Sequence, residues 1–235
     1  MAKTSKKEIV KSPKGMHDIL HEDFKIYERI IDKCKEISEF YGFLPIATPH
    51  LENTELFLRP LGETSDVVEK EIYTLRTKGG DSLTLRPEGT ASVMRSYAEN
   101  GMVSWPHPVK LYYYGSFFRH ENPQKGRLRE FRQFGLEVLG EVDPIIDATA
   151  IKIPYIILSE LGFKDILVHI NSIGDKNCRP NYKKELINFY KKKFNYICKD
   201  CKKRFKENPL RLLDCKEESC VEIKSQAPPM VNILC

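Results

Sequence analysis

The feature that most constrains the fold is a pair of long strand-like runs separated by a short polar loop. Lys110–Glu121 and Arg129–Gly140 are rich in tyrosine, phenylalanine and valine, and the link between them, Asn122–Leu128, contains glycine and proline. Aromatic and β-branched residues favour strands, whereas glycine and proline in a short link favour a turn. The sequence therefore predicts a long antiparallel β-hairpin.

The other segments predict that this hairpin belongs to an α+β fold. Apolar residues recur at helical spacing from Phe24 to Tyr41, and the apolar run Phe43–Ala47 before Pro49 suits a strand at a sheet edge. Further predicted elements are a hairpin of residues 71–77 and 82–86, helices at 89–100, 147–161 and 181–194, and a strand at 166–171. Because strands and helices do not alternate regularly, we expect a mixed, mainly antiparallel sheet flanked by helices.

Length and composition set the class of protein. The 235 residues are 41% hydrophobic and 30% charged, which allows one sizeable core and excludes a disordered chain. Residues 1–10 predict a disordered basic tail without the apolar core of a signal peptide, so we expect a cytoplasmic location. No apolar run approaches the roughly 18 residues of a membrane span. The net charge of +5 does not by itself indicate a nucleic-acid partner.

One face of the predicted hairpin carries groups that can do chemistry. Side chains on a strand alternate between faces, and the alternation places on one face Arg119, Glu121, Phe131, Gln133 and Glu137. An arginine fork suits phosphate oxygens, a phenylalanine ring can stack on a base, and Arg127 adds a cation in the loop. Gly135 predicts an empty space between Gln133 and Glu137 for a small ring. A solvated polar sheet face has the same pattern, so the residues alone leave both interpretations open.

A second candidate site is the turn from Thr84 to Thr90. A predicted strand runs into Pro87-Glu88-Gly89 and then into a predicted helix. Glu88 at this junction can pair with an ammonium group, and the Thr90 hydroxyl can hydrogen-bond beside it. Ordinary capping of a helix N-terminus uses the same residue types, and both interpretations stay open.

Four of the seven cysteines are close together in the sequence. Cys198-x2-Cys201 followed by Cys215-x4-Cys220 approximates a four-thiolate zinc site, which we place in a Cys-rich hairpin at about 195–222. Disulfides are not expected in a cytoplasmic chain. The second pair is looser than Cys-x2-Cys, and reduced thiols in a lysine-rich hairpin are the alternative.

Several segments resemble class II aminoacyl-tRNA synthetases in their histidyl form. The hairpin resembles motif 2 of that class through two runs, Gly115–Arg127 and Arg129–Glu137. Thr84–Thr90 resembles the histidyl-type amino-acid-binding turn, and the first helix up to Pro49 resembles motif 1, which forms a dimer interface. Shorter matches are Lys14–Asp18, Asp66–Glu71 and Asn171–Gly174. The resemblance covers nearly the whole chain from about Lys11.

This resemblance implies ATP-dependent ligation of L-histidine to its tRNA through a histidyl-adenylate, with Mg²⁺. Arg119 and Glu121 would be the catalytic residues, Arg119 on the α-phosphate and the histidine carboxylate and Glu121 on the adenine end. Phe131 would stack on adenine and Arg127 would reach the outer phosphates. The histidine-binding residues would be Glu88, Gly89 and Thr90 at the ammonium group, Arg119, and Gln133 and Glu137 along the imidazole.

The resemblance also sets limits and alternatives. Motif 3 and the anticodon-binding domain of that class are absent from residues 1–235, so we expect residues 11–235 to be a partial catalytic domain, inactive alone and dimeric through motif 1. A regulatory subunit of ATP phosphoribosyltransferase has a similar fold, but it need not keep Arg119, Glu121, Arg127 and Phe131. A synthetase for another amino acid is the third interpretation, against which stand Glu88, Gly89, Thr90, Gln133 and Glu137.

Overall fold

The computed structural model describes residues 9–61, 72–172 and 174–233. The chain divides into two units, unit 1 (Met1–Ile166) and unit 2 (Leu167–Cys235). Nearly all of the predicted basic tail and the whole of the Asp66–Glu71 match lie outside the described residues. Among the described residues, no helix is both long enough and apolar enough to cross a membrane.

Unit 1 contains four α-helices, a 3-10 turn at Met102–Ser104 and six strands in its described residues. The helices are α1 (His21–Phe40), α2 (Glu55–Leu61), α3 (Thr90–Glu99) and α4 (Pro144–Glu160). The strands are β1 (Leu44–Pro45), β2 (Leu51–Asn53), β3 (Tyr73–Arg76), β4 (Ser82–Leu85), β5 (Val109–Phe118) and β6 (Glu130–Leu139). They form two three-stranded sheets in the orders β1-β5-β6 and β2-β4-β3, with only the β1–β5 pair parallel. The predicted α+β class is confirmed.

The long hairpin of β5 and β6 is the central element of unit 1. Its strands pair antiparallel from Val109 opposite Leu139 to Phe118 opposite Glu130, which confirms the predicted hairpin. The backbone N–H of Arg119 donates to the Arg129 carbonyl at 2.9 Å, so the ladder continues one step beyond β5. The candidate residues Arg119 and Glu121 therefore lie just past the strand end.

The two faces of the hairpin pack against different helices. On one face, the ring of Phe134 stacks on Tyr112 at 5.6 Å, within a core cluster that includes residues of α1 and α4. Leu136 and Val138 pack against the same cluster, as the alternation predicted. The opposite face packs against α3 through the cluster Val93, Met102, Val109, Leu111, Tyr113, Phe117 and Leu139. The face with the candidate polar residues is thus partly buried.

The shorter predicted strands are also present. The edge strand expected before Pro49 is β1, and the described part of the predicted hairpin 71–77 and 82–86 forms β3 and β4. Near the N-terminus, Gly15 has φ +82° and its carbonyl accepts the backbone N–H of Arg129 at 2.8 Å. A β-carbon at Gly15 would lie 2.9 Å from the Arg129 side chain, so glycine allows this segment to approach the hairpin.

All regular secondary structure in the described residues of unit 2 is helical. Its helices are α5 (Arg179–Lys193), α6 (Lys199–Glu207) and α7 (Glu218–Ser225), with short 3-10 turns at Phe194–Tyr196, Pro209–Asp214 and Met230–Ile233. The prediction of a Cys-rich hairpin at about 195–222 is wrong, because this segment forms α6, a 3-10 turn and α7. Lysine, arginine and glutamate dominate α6, and these residues favour a helix over a strand.

The predicted strand at 166–171 is also wrong. These residues form neither strand nor helix, and Leu167 and Ile170 are 76% and 77% exposed. A strand is stabilised by pairing with a neighbour, and no described strand pairs with this segment. The segment therefore has the apolar alternation typical of a strand but lacks the backbone pairing that this alternation predicted.

Candidate active site

The candidate site of unit 1 lies where β4 turns into α3 beside the hairpin. Arg86 fixes this turn: its side chain is 4% exposed, and its Nη1 donates to the Thr48 carbonyl at 2.8 Å and to the Thr48 hydroxyl at 3.0 Å. Its Nε donates to the Ser116 carbonyl at 3.1 Å, and its carbonyl accepts the Phe118 N–H at 3.0 Å. These bonds hold the Pro87-Glu88-Gly89 turn against β5. Sequence analysis did not single out Arg86, because nothing in the chain around it marks a buried cation.

Glu88 caps the helix that follows it. Its two carboxylate oxygens accept the backbone N–H groups of Thr90 at 2.6 Å and Ala91 at 2.9 Å. These are unpaired donors of the first turn of α3, where a negative charge is also favourable. The capping interpretation is thus confirmed, and it fixes the position of the Glu88 carboxylate.

Thr90 and Glu137 join the turn to β6. The Thr90 hydroxyl donates to Oε1 of Glu137 at 2.7 Å, although the two residues are 47 positions apart. Burial and then the negative charge of Glu88 raise the pKa of the Glu137 carboxyl, while hydrogen bonds from Thr90 and Tyr113 act in the opposite direction. The geometry brings three of the predicted residues, Glu88, Thr90 and Glu137, to one place.

The space expected over Gly135 is not open. The ring of Tyr113 fills it: a β-carbon at Gly135 would lie 2.2 Å from Cζ of Tyr113, and one at Gly89 would lie at the same distance. The Tyr113 hydroxyl accepts a hydrogen bond from Nε2 of Gln133 at 3.3 Å and donates to Oε1 of Glu137 at 3.4 Å. The expectation of an empty space is therefore wrong, because a residue of the neighbouring strand occupies it.

Tyr113 is a site residue that sequence analysis missed. It is 5% exposed, and burial together with the charge of Glu137 raises the pKa of its phenol, so the hydroxyl stays a donor. The register of the hairpin could have indicated this contact from the sequence, because a hairpin loop centred near residue 124 places Tyr113 opposite Gly135. A large aromatic ring opposite a glycine is a cross-strand pair in which the ring lies over the glycine.

The cationic end of the site surrounds Arg119. Its Nε donates to the Pro87 carbonyl at 2.9 Å, and its guanidinium lies over the Phe131 ring at 5.1 Å. Its Nη1 is 4.0 Å from the Glu121 carboxylate, whose second oxygen accepts from Nη1 of Arg127 at 3.3 Å. All four predicted ATP-binding residues are thus brought together, and Arg119 is linked directly to the Glu88 turn.

A cavity opens beside this turn. Its volume is about 450 Å³, and its lining combines two polar residues of the turn, the charged Arg95 and apolar side chains of α2 and α3: Leu56, Phe57, Glu88, Thr90, Ala91, Met94 and Arg95. A mostly apolar cavity with a few polar groups is typical of small-molecule sites.

Comparison with known proteins identifies the family to which this chain belongs. A family model described as histidyl-tRNA synthetase matches residues 15–174, well over half of the chain. The chain belongs to the histidyl-tRNA synthetase family. A curated histidine–tRNA ligase of Desulfitobacterium hafniense is 48% identical over 226 residues, and one of Acetivibrio thermocellus is 46% identical over 227. These matches cover 96% and 97% of the chain but 53% and 54% of the relatives, so the chain spans about half their length.

Solved structures share the fold of this chain. The apo histidyl-tRNA synthetase of S. aureus superposes with a TM-score of 0.74 at 35% identity, covering 97% of this chain and 51% of that one. A Bacillus halodurans structure described as an ATP phosphoribosyltransferase regulatory subunit/histidyl-tRNA synthetase has a TM-score of 0.64 at 22% identity and shares the fold. The class II synthetase fold expected from the resemblance is confirmed.

Proposed function

We propose that this chain carries part of the active site of an enzyme that ligates L-histidine to its tRNA through a histidyl-adenylate. The observation that carries the proposal is the single network in which Arg119 is bonded to the turn of Glu88 while Thr90 of the same turn is bonded to Glu137. A cation suited to phosphate and a partly buried carboxylate suited to the amino acid are thereby held a fixed distance apart. Joining an amino acid to ATP requires this arrangement of two binding subsites.

The reaction has two steps. An oxygen of the histidine carboxylate attacks the α-phosphorus of ATP, pyrophosphate leaves, and histidyl-adenylate forms. A hydroxyl of the terminal ribose of tRNA then attacks the histidyl carbonyl carbon, and AMP leaves. Charge builds on the phosphate oxygens in the first step, where Arg119 would offer its guanidinium, and Mg²⁺, when bound, would supply further positive charge. No protein nucleophile is needed, so the residues act by orientation and charge.

Selection of histidine would rest on Gln133 and Glu137. Both are held by the Tyr113 hydroxyl, and the Glu137 carboxylate can accept an imidazole N–H. An amino acid without such a donor would leave the second oxygen of this partly buried carboxylate without that hydrogen bond, which penalises its binding. The Glu88 carboxylate, positioned by its bonds to the first turn of α3, would contact the α-ammonium group, with Gly89 and Thr90 beside it. Phe131 would stack on adenine, with Glu121 at its far end and Arg127 on the outer phosphates.

The test is an assay of the complete polypeptide in which this sequence occurs. We expect ATP–pyrophosphate exchange that depends on histidine, and transfer of histidine to tRNA. Exchange driven equally well by proline, threonine or glycine would assign the site to another synthetase. The absence of ATP binding and of exchange would instead support a regulatory subunit that has only the fold.

Further partners and cofactors belong to the same proposal. The chain would form a homodimer through α1, whose Phe24, Ile26 and Phe40 are 42%, 54% and 85% exposed, and it would act in the cytoplasm. Light scattering at several concentrations tests the dimer, and Phe40→Glu should shift the protein to monomer. A structural zinc ion at Cys198, Cys201, Cys215 and Cys220 would act on unit 2 rather than on the adenylate chemistry.

Replacing Glu137 with glutamine should weaken histidine binding without lowering the thermal stability of the protein. Because burial raises the pKa of Glu137, the folded state favours the protonated carboxyl, so the unfolding free energy falls as pH rises from the ordinary carboxyl pKa through the raised one. Glu137→Gln keeps an acceptor for Thr90 and removes this penalty. We expect an unchanged or higher Tm at pH 7, by roughly 2–4 °C for a gain of about 1 kcal/mol, together with at least tenfold weaker histidine binding.

Calorimetric titration with histidine and thermal unfolding at pH 5 and pH 8 make the comparison. The two proteins should differ more in Tm at pH 8 than at pH 5. Glu121→Gln is the matched control, since Glu121 lies at the other end of the site and contacts Arg127. Unchanged histidine affinity in Glu137→Gln would remove Glu137 from the amino-acid subsite.

A further inference from the structure

The described core of unit 2 is built around thiols. Four sulfur atoms, those of Cys198, Cys201, Cys215 and Cys220, all lie within 4.8 Å of one another, and three of these residues are buried. The Cys198 and Cys215 sulfurs are 3.8 Å apart, far beyond the about 2.05 Å of a disulfide. Four sulfurs bound tetrahedrally at about 2.3 Å from zinc are separated by about 3.8 Å. The cluster thus already has nearly the size of a zinc–thiolate centre.

The local fold explains why the loose cysteine spacing still converges. Cys198 caps α6, with its sulfur accepting the backbone N–H of Cys201 at 3.4 Å, and Cys201 lies in the first turn of that helix. Cys215 ends the 3-10 turn Pro209–Asp214, and Cys220 lies in the first turn of α7. Cys215-x4-Cys220 has two more residues between its cysteines than Cys-x2-Cys has, because the chain begins α7 before it reaches Cys220. The spacing that departs from Cys-x2-Cys is therefore a consequence of helix geometry.

Backbone donors point at the sulfurs. The N–H of Cys198 donates to the Cys220 sulfur at 3.2 Å, and the N–H of Cys201 donates to the Cys198 sulfur at 3.4 Å. Backbone donors on the sulfur atoms are the kind of supporting hydrogen bond that orients the ligands of a metal centre.

Tyr190 supplies a second, independent observation. Its side chain is 1% exposed, and its hydroxyl has no hydrogen-bond partner among the described residues. Tyr190 packs in the same buried cluster as Cys201, Cys215 and Cys220. A buried donor without a partner is rare in native proteins, and a thiolate is an acceptor within its surroundings.

We infer that the four cysteines bind one zinc ion around which unit 2 folds, and that the Tyr190 hydroxyl, unpaired among the described residues, donates a hydrogen bond to the thiolate centre when the metal is bound. Four thiolate ligands leave no open coordination position, so the ion is structural rather than catalytic. Because these cysteines form much of the unit 2 core, the free energy of metal binding contributes directly to folding. This inference does not depend on the synthetase activity.

Measurement of the metal content of the unmodified chain tests the inference. Protein purified without chelators or added metal should contain one zinc per chain by elemental analysis. Removal of the metal under reducing conditions should abolish part of the helical circular dichroism, and added Zn²⁺ should restore it. Co²⁺ should give the visible bands of tetrahedral thiolate coordination. A chain that carries no metal and keeps its helical signal in chelator would overturn the inference, and one iron per chain would overturn the choice of zinc.

Variants with matched controls resolve the roles of single residues. Cys201→Ser and Cys220→Ser should lose the bound zinc, whereas Cys178→Ser should keep it, since Cys178 is equally buried in unit 2 but its thiol donates to Asp175. Retention of zinc by both cluster variants would refute the ligand set.

Tyr190→Phe preserves the ligands and tests the hydrogen bond. It should keep one zinc per chain but bind it about tenfold more weakly in competition with a chromophoric chelator, as removal of supporting hydrogen bonds does elsewhere. Tyr182→Phe is the control, because the Tyr182 hydroxyl donates to the Pro228 carbonyl instead. Equal zinc affinities for the two variants would show that Tyr190 has no part in the centre.

Discussion

Arg119→Lys should lower kcat/KM for histidine-dependent ATP–pyrophosphate exchange by about a thousandfold in the complete polypeptide, which corresponds to about 4 kcal/mol of transition-state stabilisation. The physical reason is geometry rather than charge. Arg119 uses Nε on the Pro87 carbonyl and stacks on Phe131, which leaves its two terminal nitrogens oriented for phosphate and carboxylate oxygens. A lysine ammonium cannot hold the Pro87 carbonyl and present a planar pair of donors at the same time.

Arg132→Lys is the matched control for this experiment. Arg132 lies on β6, next to Phe131, and its guanidinium also stacks on an aromatic ring, that of Tyr27 at 4.7 Å, but it is absent from the candidate site. We expect exchange within about twofold of the unmodified protein, since changes at the surface away from a site are usually small. A similar, small effect of both substitutions would show that Arg119 does not stabilise the transition state.

The sequence predicted the parts of the site that depend on local pattern. Alternation along the hairpin correctly grouped Phe134, Leu136 and Val138 on the core face, because side chains of a paired strand have no other choice of face. It also grouped Gln133 with Glu137, and both hydrogen-bond to the same Tyr113 hydroxyl. These predictions needed only a strand and its period.

The remaining features depend on contacts between distant segments. Tyr113 lies over both Gly135 and Gly89, and no local pattern specifies that one ring meets glycines from two separate segments. The bond between Thr90 and Glu137 likewise depends on where α3 docks on the hairpin. In unit 2, the cysteine spacing suggested a set of metal ligands but not the helices on which they lie. The spacing of the ligands indicates that they can meet at one metal ion, and it does not specify the secondary structure of the residues around them.

Gly135→Ala should destabilise unit 1 by about 2–3 kcal/mol, the usual cost of overpacking a filled core. The added β-carbon would lie 2.2 Å from Cζ and 2.4 Å from the hydroxyl of Tyr113. The ring cannot move aside towards Gly89, because it already packs directly against that glycine, where a β-carbon would be equally close to it. Displacing Tyr113 also removes its hydrogen bonds to Gln133 and Glu137, so histidine affinity of the complete polypeptide should fall at least tenfold.

A double-mutant cycle in urea unfolding tests whether Tyr113 is the cause. Tyr113→Leu alone should cost about 1–3 kcal/mol, because it leaves a cavity between the two glycines. Combined with Gly135→Ala, it should cost less than the sum of the single changes by at least about 1 kcal/mol, because the clash is gone. Gly79→Ala is the control: its β-carbon would meet its nearest neighbours at 3.6 Å, which is ordinary contact. Additive costs would mean that the Tyr113 ring does not occupy the space over Gly135, and the link it provides between the Glu88 turn and the hairpin would have to come from Thr90 and Glu137 alone.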